Sequence, residues 1–203
     1  MLDAVLRRQL RGPLDRIAAT LDRPGITPDR LTILGLALGM ASAGLAAAAL
    51  WWPAVAAWWL SRLADGLDGS LARRRIRRVP ADSGAGGYLD IVADFTVYGA
   101  TVVGIGVGAG GSMLPYLAVL FCYYVNGTAF LAFSSVAERT GRKIDDGRSM
   151  SFLGGLAEGG ETIAVHSLLM LLPGHAGAIA TGWAVVVGVS AAQRAWAGYR
   201  LLR

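Results

Sequence analysis

The sequence predicts an all-α polytopic membrane protein, with six transmembrane helices preceded by an N-terminal amphipathic interfacial helix. Composition gives the first indication. Of the 203 residues, 54% are hydrophobic and only 16% are charged, whereas a soluble domain carries about 25% charged residues. The hydrophobic residues also gather in long runs, and the 28 glycines suit close packing of helices in a bilayer. Both observations indicate that lipid is the solvent.

Six apolar segments are each long enough to cross a bilayer core, which needs ~20 mostly apolar residues per helix. Short joints separate them, such as Trp51-Trp52-Pro53 and Pro173-Gly174-His175. We therefore predict transmembrane helices at residues 31–51, 53–73, 84–107, 114–137, 152–172 and 176–196.

The distribution of positive charge predicts the orientation of these helices. Of the 19 Lys and Arg residues, all but Arg62 lie before the first span, at or after the end of the second, after the fourth or at the C-terminal end. Basic residues concentrate on the cytoplasmic side of membrane proteins. We therefore predict a multi-pass protein of the cytoplasmic membrane with both termini inside the cell. The charge also suits contact with anionic lipid head groups and argues against nucleic acid as a partner.

The N-terminal stretch has the pattern of an amphipathic helix. Apolar residues recur at helical spacing with arginines between them, and such a helix lies in the plane of the membrane surface. We divide the chain into a cytoplasmic juxtamembrane helix, residues 1–24, and a six-helix membrane domain, residues 25–203. The apolar positions are Leu2, Val5, Leu6, Leu10, Leu14, Ile17, Ala18 and Leu21.

Four aspartates lie within predicted spans, where an ionisable residue costs ~2.5–3.5 kcal/mol and is by default a functional candidate. Asp65 and Asp68 are three residues apart, near the cytoplasmic end of the second span. Asp90 and Asp94 are four residues apart, near the cytoplasmic start of the third. Each spacing places two carboxylates on one helix face. The four carboxylates are therefore expected to converge just inside the cytoplasmic surface.

Carboxylates brought together repel one another unless cations lie among them. Oxygen ligands without His or Cys favour Mg²⁺, Mn²⁺ or Ca²⁺. Two divalent ions, Mg²⁺ or Mn²⁺, would neutralise four carboxylates and leave coordination positions for phosphate oxygens. The alternative is a set of helix–helix ion pairs with nearby arginines, of which Arg73 can serve one pair.

The aspartates belong to a longer motif. Residues 65–73 read DGLDGSLAR and residues 86–94 read GGYLDIVAD. This resembles the CDP-alcohol phosphatidyltransferase motif, D-x-x-D-G-x-x-A-R followed after a spacer by G-x-x-x-D-x-x-x-D, with all eight fixed positions present. The spacer here, residues 74–85, is longer than is usual in that family. The family's six-helix architecture is similar to the predicted one.

The resemblance implies an enzyme that transfers a phosphatidyl group from CDP-diacylglycerol to the hydroxyl of a small polar alcohol and releases CMP. It implies that Asp65, Asp68, Asp90 and Asp94 hold the metals and that Asp94 is also the general base. It further implies a possible homodimer. By the same resemblance, the CDP-lipid contacts are Gly69, Ala72, Arg73, Ser83, Gly86, Pro28, Asp29 and Leu31.

The acceptor alcohol is predicted from the fourth and fifth spans. Branches of the family that use phosphorylated polyols carry basic residues near the end of the fourth helix, whereas here the first is Arg139, and two acids, Glu158 and Glu161, open the fifth. This favours an acceptor without phosphate, such as serine or an amino alcohol, whose ammonium would pair with the acids. Two alternatives stay open. The acids equally suit a helix N-terminus, or pairing with Arg139, Arg142 or Lys143. A phosphorylated polyol, glycerol phosphate or inositol phosphate, can instead be bound by the basic residues Arg139, Arg142, Lys143 and Arg148.

The non-enzyme alternative is an ion-coupled membrane transporter, which also buries acids. A transporter would place them near the bilayer midplane and on interrupted helices. The aspartates here lie near one surface, which favours the enzyme.

Overall fold

The computed structural model describes residues 2–76, 84–142 and 157–203, and within these ranges it contains α-helices and no strand. A short 3₁₀-helix, Pro173–His175, directly precedes the last α-helix. The α-helices are α1 Leu2–Leu21, α2 Pro28–Ala47, α3 Trp51–Ile76, α4 Ala85–Ala109, α5 Leu114–Arg139, α6 Gly159–Leu171 and α7 Ala176–Leu202.

Helices α2 to α7 match the six predicted segments in order, and α2 to α5 match them in extent within a few residues. Helix α6 begins at Gly159, later than the predicted start at residue 152, and α7 continues to Leu202, beyond the predicted end at residue 196. Four stretches are long and apolar enough to cross a membrane: α2, α4, α5 and Pro173–Leu202. Helix α3 has 26 residues, but Arg62, Asp65 and Asp68 interrupt its apolar run. Helix α6 has 13 described residues, and residues 152–156 of the predicted fifth span lie outside the described ranges. The described residues are therefore all-helical with four candidate membrane spans, while the count of six spans stays a prediction.

Helix α2 begins three residues earlier than predicted because its first turn is capped. The hydroxyl of Thr27 accepts a hydrogen bond from the backbone N–H of Arg30 at 3.2 Å. Pro28 follows as the first helical residue, where its missing N–H costs nothing. This start places Asp29 in the first turn and Thr32 one turn further in, facing α3.

Helix α2 is central, since it packs along both α3 and α4, and α5 packs along α7. Small residues allow the close approach. A Cβ added to Gly104 of α4 would lie 2.2 Å from the carbonyl oxygen of Ala43. Hydrogen bonds join α2 to α3, with the Ser61 hydroxyl donating to the Gly35 carbonyl at 2.7 Å. Thus α2 fixes α3 and α4, which carry the aspartates, relative to each other.

Helix α1 packs against α3 and α6 at the end of α3 that carries the aspartates. Leu14 lies over Gly66, where an added Cβ would be 3.3 Å from its Cδ1 atom. Asp22, just after α1, accepts hydrogen bonds from the Nε atoms of Arg74 at 3.1 Å and Arg75 at 3.2 Å. The predicted helix is therefore present, and its position in the plane of the membrane surface stays a prediction.

Candidate active site

Three of the four aspartates form one cluster. One carboxylate oxygen from each of Asp65, Asp68 and Asp90 lies within 4.8 Å of the others. Asp68 is 4% exposed, and the other two are half-buried. The i, i+3 spacing on α3 points its two carboxylates the same way, and α4 brings the third across from the opposite side. We call these three residues the aspartate cluster.

The cluster is built in the space between α3 and α4. Both helices pack along α2, and in the described part of the chain α3 and α4 meet mainly through side chains rather than backbone. The left-handed backbone of Gly84, with φ of 74°, turns the chain into α4 just before the second half of the motif.

Thr32 completes the inner wall of the cluster. Its hydroxyl donates a hydrogen bond to Oδ2 of Asp68 at 2.5 Å, and both side chains are buried. A buried carboxylate needs such a donor or a cation. This contact was not predictable from the sequence, because it depends on the packing of α2 against α3.

Asp94 lies outside the aspartate cluster and pairs with a cation. Nη1 of Arg62 lies 2.6 Å from Oδ1 of Asp94 and 3.8 Å from Oδ1 of Asp65. In the sequence, Arg62 stands out only as the exception to the charge distribution. Its position three residues before Asp65, on the same helix face, was the available signal.

The described residues among those predicted to contact the CDP-lipid lie on α2, α3 and α4, near the helix ends that carry the aspartates. A Cβ added to Gly86, at the start of α4, would lie 3.4 Å from Oδ1 of Asp29, at the start of α2. The guanidinium of Arg73 lies over Gly69, 3.2 Å from where a Cβ would be, and Nη2 donates to Ser70 at 3.1 Å. Arg73 is exposed; Pro28, Leu31 and Ala72 are half-buried; Ser83 lies outside the described residues.

The predicted acceptor residues lie at two other helix ends. Glu158 is the N-cap of α6, and Glu161 is in its first turn with one carboxylate oxygen fully buried. Neither belongs to the aspartate cluster. Helix α6 packs against α3, with the indole N–H of Trp58 donating to the Ile163 carbonyl at 3.4 Å. Arg139 is exposed in the last turn of α5.

The aspartate cluster fits a divalent metal ion. Three carboxylate oxygens from two helices can converge on one point, and they are the hard oxygen ligands that Mg²⁺ and Mn²⁺ prefer. Thr32 donates only one hydrogen bond to Asp68. Because buried carboxylates are poorly solvated, a cation bound among them would be stabilising.

Substituting Thr32 by valine is expected to weaken binding of Mn²⁺ by about tenfold. This is the lower end of the loss in affinity seen when the hydrogen-bond partner of a metal ligand is removed. Valine keeps the shape but cannot donate to Asp68. Electron paramagnetic resonance of free Mn²⁺ during titration of the purified protein measures this. Thr96→Val is the matched control, since Thr96 is exposed on α4 and its hydroxyl donates to the Val92 carbonyl of its own helix at 2.8 Å. Equal affinities in the two variants would rule out a role for Thr32.

Comparison with known proteins agrees with the family resemblance and with the fold. The family model described as CDP-alcohol phosphatidyltransferase matches residues 25–191. The inner membrane protein YnjF of Escherichia coli K12 is 36% identical over 149 residues, which are 71% of this chain and 69% of that protein.

Two solved structures of one mycobacterial enzyme share the fold. Both are of the Mycobacterium tuberculosis phosphatidylinositol phosphate synthase PgsA1, at 23% identity. The structure with CDP-DAG bound has a TM-score of 0.72 and covers 92% of this chain and 93% of that one. The structure with manganese and citrate has a TM-score of 0.70 and covers 92% and 88%.

Proposed function

Because the chain belongs to the CDP-alcohol phosphatidyltransferase family, a family of enzymes, we propose that it transfers a phosphatidyl group from CDP-diacylglycerol to the hydroxyl of a small polar alcohol. CMP is released, and the product is a phospholipid. Membership in an enzyme family sets aside the ion-coupled transporter.

The observation that carries this proposal is the aspartate cluster, built from the motif that defines the resemblance. The cluster brings together Asp65, Asp68 and Asp90 from two helices, although Asp65 and Asp90 are 25 residues apart in the sequence. A chain that needed these acids only for helix packing would pair each with a basic side chain. Among the described residues, Asp68 has instead a threonine hydroxyl as its hydrogen-bond partner.

We propose that two divalent ions, Mg²⁺ or Mn²⁺, bind at this site, with Asp65, Asp68, Asp90 and Asp94 as ligands. When bound, such ions stabilise negative charge on phosphate oxygens and acidify a nearby hydroxyl. The cluster of three would hold one ion, and Asp94 with Asp65 would face the other.

Asp94 is proposed as the general base. Its carboxylate would take the proton of the acceptor hydroxyl as that oxygen attacks the phosphorus on the lipid side of the diphosphate. The bond from that phosphorus to the CMP oxygen then breaks. Asp94 suits this role because it stands outside the aspartate cluster and is 30% exposed at its side chain.

The CDP moiety is proposed to bind across the ends of α2, α3 and α4. Arg73 is a permanent cation with a fork of donors that matches phosphate oxygens. The absence of side chains at Gly69 and Gly86 leaves space beside Arg73 and Asp29 respectively. The proposed contacts are Gly69, Ala72, Arg73, Ser83, Gly86, Pro28, Asp29 and Leu31.

For the acceptor, we propose an alcohol without phosphate, such as serine or an amino alcohol, whose ammonium pairs with Glu158 and Glu161. The position of Arg142 supports this choice. Its Nη1 donates to the carbonyls of Leu202 at 2.5 Å and Leu201 at 3.3 Å, so it caps α7 rather than facing a substrate.

A phosphorylated polyol, glycerol phosphate or inositol phosphate, is the alternative acceptor. Arg194 supports it, because this cation is 5% exposed and its Nη2 lies 3.5 Å from the carbonyl of Ala157, next to the acidic start of α6. Arg139, exposed at the end of α5, is the second basic candidate.

Substituting Glu161 by glutamine is expected to raise the KM for an ammonium-bearing acceptor about tenfold, because one carboxylate charge near the ammonium is lost. Purified protein is assayed for CMP and lipid product with CDP-diacylglycerol and serine, ethanolamine, inositol phosphate or glycerol phosphate. Glu138→Gln, an exposed acid at the end of α5, is the control. Preferential use of a phosphorylated polyol would reject the ammonium acceptor in favour of the alternative.

For topology, we propose six spans in the cytoplasmic membrane, with the termini and the site on the cytoplasmic side. The apolar helices and the inner membrane relative support a membrane location. The division into residues 1–24 and 25–203, and a homodimer, stay predictions.

A further inference from the structure

Arg62 is a buried cation at the deep side of the site. It is 7% exposed, although a lone charge at membrane depth is costly. Its guanidinium carbon lies 5.2 Å from the ring centre of Trp58 and 5.0 Å from that of Tyr98. These two aromatic faces, from α3 and α4, fix the guanidinium between the helices and attract its charge.

The polar contacts of Arg62 orient its guanidinium towards the carboxylates of Asp94 and Asp65. Nη1 lies 2.6 Å from Asp94 and 3.8 Å from Asp65, and Nη2 donates to the Ser61 hydroxyl at 3.0 Å. Its Nε is buried and has no hydrogen-bond partner among the described residues. The guanidinium therefore makes its polar contacts through Nη1 and Nη2, on the side that faces Asp94 and Ser61.

The contacts divide the four carboxylates into two unequal groups. Asp65, Asp68 and Asp90 approach one another and have the hydroxyl of Thr32 as a nearby donor. Asp94 already has a cation at ion-pair distance. Within the aspartate cluster only Asp65 is near Arg62, at 3.8 Å, against 2.6 Å for Asp94. A divalent ion on the cluster therefore meets less of the positive charge of Arg62 than a second ion beside Asp94 does.

We propose that Arg62 is a positioning residue that serves as the resident cation of the second metal position. Arg62 pairs with the Asp94 carboxylate before the second ion binds, and this ion pair must break when the second ion binds to Asp94. This rests on the two-ion site proposed above. Arg62 therefore makes the two metal affinities unequal, and removing its charge should bring them closer together.

The test is a titration of the purified full chain with Mn²⁺, followed by electron paramagnetic resonance of the free ion. The wild type is expected to bind one ion tightly and a second weakly or not at all. Arg62→Met should tighten the second step at least about tenfold, because one positive charge a few ångströms away is lost, and change the first step far less. Arg62→Lys, which keeps the charge, should retain the weak second step.

Arg200→Met is the matched control, since Arg200 is an exposed arginine at the far end of α7 and stacks on Trp196 at 4.3 Å. It should leave both steps unchanged. A second step that is equal to wild type, weaker or absent in Arg62→Met would overturn the proposal, as would two equal steps in the wild type. A wild type that binds no Mn²⁺ would instead refute the metal site of the proposed function.

If Arg62→Met does not fold, the wild-type chain answers the same question. With ¹⁵N-labelled arginine, the Arg62 side-chain signals are those lost in Arg62→Lys. They should shift during the second step of a Mg²⁺ titration. A shift that is complete within the first step, or no shift at all, would overturn the proposal.

Discussion

Replacement of Asp94 by asparagine is expected to lower the rate of CMP release by about 10³-fold, within the range that a general base contributes. Asparagine has the same shape, and its side-chain oxygen can still accept from Nη1 of Arg62, which lies 2.6 Å from Asp94 in the wild type. It cannot accept the proton of an alcohol, and it is a weaker metal ligand. The measurement is CMP formation by purified protein with saturating CDP-diacylglycerol, acceptor and Mn²⁺.

Asp15→Asn provides the control for this variant. Asp15 is a half-buried acid on α1, outside the aspartate cluster, and its loss removes the same charge from the chain. Its rate should stay within about twofold of wild type, since distant surface acids contribute little. An Asp94→Asn protein that is folded and retains wild-type rate would exclude Asp94 as the base.

The second large effect concerns stability. Replacement of Gly104 by alanine is expected to destabilise the protein by about 3 kcal/mol, at the upper end of what overpacking costs. The added Cβ would lie 2.2 Å from the Ala43 carbonyl oxygen and 2.9 Å from its carbon. Because these are backbone atoms, no side-chain rotation relieves the clash, and α2 and α4 must separate. Unfolding of the purified protein in a denaturing detergent measures the change.

Gly44→Ala is the control, on α2 itself. Gly44 is exposed and a Cβ there meets nothing within 4 Å. This variant should be as stable as wild type or up to about 1 kcal/mol more stable, since alanine is the better helix former. Equal stability of the Gly104 and Gly44 variants would show that the close approach of α2 and α4 is not needed.

The convergence of the aspartates was predictable because it follows from local geometry. Helical spacing fixes which side chains share a face, and the charge distribution predicts which ends of neighbouring helices meet. Asp65, Asp68 and Asp90 satisfy both conditions. Helix limits were also close, and the early start of α2 follows from the capping by Thr27, a local signal that the apolar run alone does not contain.

The roles of Arg62 and Thr32 were not predictable in the same way. Both depend on partners from other helices: Arg62 contacts Asp94 of α4, and Thr32 of α2 contacts Asp68 of α3. Sequence spacing says nothing about which face of α2 packs against α3. Asp94 also lies outside the aspartate cluster and pairs with Arg62, whereas the sequence predicted that all four carboxylates would converge.

The central claim, a metal-dependent phosphatidyl transfer at these aspartates, is tested most directly by chelation. Purified protein is given CDP-diacylglycerol and its preferred alcohol, and CMP is measured before and after complete removal of divalent ions. We expect CMP release to stop on removal and to return when Mg²⁺ or Mn²⁺ is restored. Release that continues at full rate without divalent ions would contradict the claim.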